Sequence, residues 1–191
     1  MTNPSAPRLV EPAGLSVAEW AYRLGHYTWL EERTFAVLGG WVRTEADHEV
    51  KLHLAEHCHH HAWHAQVWRD HLPALGDATP ESFVRPRSDA TAAALEALAA
   101  SATTLERLVA VARVLLPRKV AAYEWHLARA SAVSEGPTRR WLSHVLLDER
   151  DQWAAAEALL QTRLRSADDV RTAAGHQAQL EALLVEAGGL A

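Results

Sequence analysis

The chain has 191 residues, 49% of them hydrophobic and 23% charged, with a formal net charge of -5. That is ordinary for a globular protein and long enough for one domain with a sizeable core. The acidic balance and the lack of a long Lys/Arg block argue against a nucleic-acid partner, and no run of about 18 apolar residues exists to cross a membrane. Cys58 is the only cysteine, which excludes an internal disulfide. The opening Met-Thr-Asn-Pro-Ser-Ala-Pro-Arg lacks the apolar core of a signal peptide, so the expected location is a reducing cytoplasm. A composition rich in Ala, Leu, Glu and Arg and poor in β-branched runs reads as all-α.

Residues 1–15 hold three prolines and read as an extended arm. Ser16-Val17-Ala18-Glu19 is a capping box that starts a helix predicted over 17–38, with Gly39-Gly40 as its end. Its inward stripe is Val17, Trp20, Leu24, Tyr27, Glu31, Phe35 and Leu38. Thr44 is the expected N-cap of a second helix over 46–72. Eight of the 12 histidines lie on that helix, and its apolar residues Val50, Leu54, Cys58, Ala65, Trp68 and Leu72 recur at helical spacing. His61 falls in the apolar stripe, His57 and His64 on its shoulder, and His59 and His48 face away. Residues 73–88, with three prolines and a glycine, read as a long connection. A third helix is predicted over 90–131, kinked or split by Pro117. A fourth is predicted over 138–164 and a shorter fifth over 168–187. Residues 16–164 thus read as a four-helix bundle of two antiparallel hairpins joined by a long crossover, and residues 165–191 as a C-terminal helix packed on it.

Each bundle helix places a polar group on its apolar face: Glu31; His57, His61 and His64; Glu124; and Glu149, with Gln152 beside it. A buried carboxylate is costly unless paired, hydrogen-bonded or on a metal, and imidazole is the commonest ligand for transition metals. Folding the first hairpin near residues 43–44 sets Glu31 against His57; folding the second at Glu135-Gly136 sets Glu124 near Glu149. The expected metal ligands are therefore Glu31, His57, His61, His64, Glu124 and Glu149. The literal Glu-x-x-His at Glu56–His59 points away from the stripe and is not counted. Asp148 and His144, four apart, lie on a more exposed side, and Tyr27 and Tyr123 read as core residues.

Residues 17–161 resemble ferritin-like proteins. More narrowly, Leu30-Glu31, the segment from Lys51 to His64, and Pro137-Thr138-Arg139-Arg140 followed by Leu147-Asp148-Glu149-Arg150 are similar to a bacterial ferritin-like family of unassigned function. The resemblance implies polar core positions at Glu31, His57, His64 and Glu149; Trp63 stands where that family has Glu beside the last His. Three functions follow as expectations. The first is a di-metal (iron or manganese) oxidoreductase or oxygenase acting on a small molecule held against Trp20, Phe35, Trp68 or Trp153. The second is a mononuclear, His-rich site for Lewis-acid chemistry, with zinc as a further candidate; DinB-like bundles are of that kind, though their ligand spacing fits less well. The third is a non-catalytic bundle whose polar layer specifies packing and whose outward Trp residues dock a partner chain. A second copy of the chain, in a homodimer, is the candidate assembly.

Overall fold

The computed structural model describes residues 14–190, so nearly all of the expected arm at 1–15 lies outside the described residues. Among the described residues the chain is all-helical, without strands, and no helix is long and apolar enough to cross a membrane. The helices are α1 (Val17–Thr44), α2 (His48–Asp70), α3 (Asp89–Ala99), α4 (Thr104–Val109), α5 (Leu116–Arg129), α6 (Gly136–Gln161) and α7 (Ala167–Glu186). A π-helical stretch, Ala110–Leu115, joins α4 to α5 without a break. A 3-10 turn, Pro80–Phe83, sits in the connection after α2.

Ser16 and Glu19 form the expected capping box. Gly39-Gly40, however, does not end α1. Leu38 and Trp41, on either side of the pair, are both buried, and their burial outweighs the roughly 1 kcal/mol that each helical glycine costs. The helix continues to Thr44, and Asp47 rather than Thr44 caps α2, accepting from the Glu49 and Val50 amides. The third helical stretch also differs from its expected form. It breaks before Pro117, at residues 100–103, where Thr103 and Glu106 make a capping box that opens α4. Pro117 then falls just after the π-helical stretch, inside the unbroken helical run that leads into α5. The wide turns just upstream, in which the Leu116 amide reaches back to the Val111 carbonyl, make room for the ring.

α1 packs along α2, and α5 packs along α6. The connection between these hairpins runs over α1. It is seated at Gly25, where an added Cβ would lie 2.1 Å from the Phe83 carbonyl oxygen, so only glycine lets the two backbones approach this closely. α3 and α4 both rest against α7. Arg107 on α4 donates to Glu45 Oε2 at 2.9 Å and to Thr44 Oγ1, tying the α1–α2 corner to the second hairpin.

Two apolar clusters fill the interior. One is aliphatic and includes Leu38, Leu54, Leu108, Val111, Leu115 and Leu160. The other is aromatic and includes Tyr27, Trp68 and Tyr123, with Tyr27 and Tyr123 edge to face at 4.7 Å. On each of α1, α2, α5 and α6 a buried charged or imidazole group lies in sequence between residues of these clusters: Glu31; His57, His61 and His64; Lys119; and Glu149.

Candidate metal centre

Because α1 extends to Thr44, the first hairpin folds about Ala46 rather than residue 43 or 44. Glu31 therefore meets His61, not His57: His61 Nδ1 lies 2.7 Å from Glu31 Oε2. Glu149 on α6 approaches from the second hairpin, with Oε1 3.6 Å from His61 Nδ1 and 3.3 Å from His64 Nδ1. Glu31, His61, His64 and Glu149 each offer one ligand atom within 4.8 Å of the others, and all four residues are fully buried.

Lys119, which was not among the expected ligands, enters this group from α5. Its Nζ donates to Glu31 Oε2 at 2.8 Å and to Glu149 Oε1 at 2.6 Å, and lies 3.0 Å from His61 Nδ1. Glu31 Oε2 and His61 Nδ1 are too close together to receive two separate N–H bonds of one tetrahedral ammonium. The consistent assignment has His61 protonated at Nδ1 and donating to Glu31, leaving a lone pair on Nε2. Tyr123 OH donates to the other Glu31 oxygen, Oε1. His64 Nε2 lies 3.2 Å from Asp148 Oδ2, and Asp148 is partly open to solvent.

Burial pushes the Glu31 carboxyl up, but the Lys119 ammonium and His61 outweigh it and hold the group well below the usual carboxylate range. Glu149 is likewise lowered: burial raises it, Lys119 lowers it, and Glu31 opposes that in part. Burial depresses His64, yet hydrogen bonds to Asp148 and Glu149 reverse the sign and raise it to about 9. His61 goes the other way, lowered by burial and by the Lys119 charge. Two carboxylates thus stand against one ammonium and one imidazolium, and the centre balances its own charge.

It does not balance its hydrogen bonds. His61 Nε2 and Glu149 Oε2 are buried without a partner, and each such atom costs about 1–3 kcal/mol; His64 Nδ1 has only Glu149 Oε1, at 3.3 Å. Two carboxylates and two imidazoles form a mixed oxygen and nitrogen donor set that suits iron, manganese or zinc; His64 and His61 Nδ1 would each have to give up a proton to a cation entering at the Lys119 position.

Two of the six expected ligands stand apart. Glu124 lies on the outer face of α5, where it accepts from Arg150 at 2.7 Å with both side chains about half exposed. The reason is the face it occupies: Leu116, Val120 and Tyr123 turn the helix so that Glu124 points outward. His57 is buried, but one turn before His61 and against His53 instead of Glu31. Of the residues expected to line a substrate, Trp68 is wholly buried, whereas Phe35 and Trp153 face outward. The signal for Lys119 was present in the sequence. Leu116, Lys119 and Tyr123 fall at helical spacing, so the lysine interrupts an inward stripe opposite Glu149.

No family model, curated protein or solved structure matches the chain.

Proposed function

We propose that the chain is a ferritin-like metal protein, a two-hairpin bundle whose centre takes one transition-metal ion and uses it for oxidoreductase chemistry on a small molecule. The observation that carries this reading is the buried Glu31–His61–His64–Glu149 group, whose ligand atoms converge within 4.8 Å of one another. A single ion is favoured over a pair because Glu124, the third carboxylate a dinuclear site would draw on, is turned to solvent. An ion held there by Glu31, His61, His64 and Glu149 would supply Lewis acidity and, if iron or manganese, one-electron chemistry.

The chain's own residues do the remaining work. Glu31 and Glu149 carry the negative charge. Tyr123 fixes one Glu31 oxygen, and Asp148 orients the His64 ring, as outer partners of ligands do elsewhere. Lys119 is the resident cation that keeps the carboxylates paired, and it would have to give up those contacts to an entering ion.

One observation favours a second reading. The Lys119 contacts already neutralise the carboxylates, which suits a packing layer in a non-catalytic interaction module. Elemental analysis of tag-free protein, with melts of the unmutated chain and Lys119→Met in Fe(II), Mn(II) and Zn(II), separates the two. The metal reading expects bound metal and a larger metal-induced rise in Tm for Lys119→Met; at 100 times its dissociation constant an ion stabilises the fold by about 2.7 kcal/mol. Absence of bound metal together with unchanged melts in both proteins establishes the packing layer.

A further inference from the structure

One turn before the centre, α2 carries a second pair of imidazoles that the centre does not use. His53 and His57 are spaced four apart on one helix face, with ring centroids 3.9 Å from each other. His57 is 2% exposed, and its Nδ1 has no hydrogen-bond partner; His53 Nε2 is likewise buried and unpartnered. Two such atoms side by side are expensive in a packed interior. Burial holds both rings below the ordinary histidine range, His57 down to about 2 with help from His53 and His61, so both are neutral and have lone pairs to give. On the outer side lies a cavity of about 300 Å³ between α2 and α6, lined by Glu49, His53, Ala155, Leu159 and Thr162. Its acidic rim residue, Glu49, is engaged by Arg163 at 2.8 Å.

We infer that His53 and His57 form a second metal site, which takes one borderline transition-metal ion of the zinc(II) or copper(II) class through two imidazole nitrogens, its open positions facing the cavity beside His53. Two neutral imidazoles without a carboxylate favour copper and zinc over magnesium or calcium. The donor set of the centre is different, with two carboxylates and a resident ammonium, so a change at Glu31 alters the centre without touching either of these imidazoles.

The test is the number of Zn(II) and Cu(II) ions bound per chain, measured by competition with a chromophoric chelator. The unmutated protein, His57→Leu, His53→Asn, His59→Ala and Glu31→Gln are compared. Melts and far-UV circular dichroism check each fold, and His53→Asn, at the less buried position, supplies the result should His57→Leu fail to fold. The expected result is that His57→Leu and His53→Asn each lose one ion or bind it at least tenfold more weakly, while His59→Ala, an exposed neighbour, binds like the parent. Glu31→Gln reports on the centre alone, so failure of one site is not mistaken for failure of the other. Equal binding by the parent, His57→Leu and His53→Asn, or equal losses in all three histidine variants, would overturn the assignment.

Discussion

Two ion pairs join α5 to α6, Lys119 with Glu149 and Glu124 with Arg150. Their separations are nearly the same, 2.6 and 2.7 Å, but their surroundings are opposite. The first pair is fully buried, shares its ammonium with Glu31 and is ringed by Tyr123, His61 and His64; the second has both side chains about half in water. Distance says nothing about what either pair does. Water screens the outer one and replaces either partner cheaply. In the inner one, the Lys119 charge lowers both Glu31 and Glu149 against the effect of burial, so removing the lysine changes the protonation and hydrogen bonding of both carboxylates.

The largest expected effect comes from breaking the inner pair. Lys119→Met should cost about 3–5 kcal/mol in a chemical melt, because it strands two buried carboxylates. Adding Glu31→Gln and Glu149→Gln to that variant should recover part of the loss. If the triple variant is no more stable than Lys119→Met, charge is not what the lysine supplies.

The pH dependence of stability is the next sharpest probe. His64 is held protonated up to about 9 in the fold, against about 6.5 in the unfolded chain. Its contribution is therefore complete below about pH 6.5 and lost as pH rises through about 9. His57 has the opposite sign: the fold lowers it to about 2, so the unfolded chain gains a proton below about pH 6.5 that the fold refuses, and stability falls as pH drops toward 2. Denaturant melts should accordingly find a maximum near pH 6–7. Asp148→Asn, which removes a hydrogen bond that raises His64, should move the alkaline loss to lower pH; an unchanged alkaline limb would show that Asp148 does not govern His64.

The smallest effect is expected at the outer pair. Glu124→Ala should cost no more than about 1 kcal/mol in the same melt, vanish into the noise in high salt, and leave any metal response intact. A loss as large as that of Lys119→Met would erase the distinction between the two pairs.

The same contrast separates what was legible in the sequence from what was not. Inward placement of Glu31, His61 and Glu149 followed from helical periodicity, because a carboxylate or imidazole in the middle of an apolar stripe has nowhere else to point. Which of them meet depended on where the hairpin turns. Gly39-Gly40 gives a strong local stop signal, but the burial of Leu38 and Trp41 overrides it and shifts the register of α2 by a full turn, from His57 to His61. Glu124 and Lys119 exchange roles for a related reason. Lysine is almost never fully buried without a partner, and the partners that bury Lys119 come from α1 and α6, which a reading of its own helix does not reach. The break at residues 100–103 was written locally in the Thr103–Glu106 capping box, yet the proline at 117 is the louder breaker and drew the expected kink to itself.

The central claim is that a metal ion can take the place of the Lys119 ammonium among Glu31, His61, His64 and Glu149. An anomalous difference map from crystals grown with Mn(II) or Zn(II), with data collected at the metal's absorption edge, tests it most directly. The expected map has a peak bonded to these four side chains, with Lys119 Nζ drawn away from both carboxylates. A map with no peak there, and Lys119 still bridging Glu31 and Glu149 at hydrogen-bond distance, would contradict it.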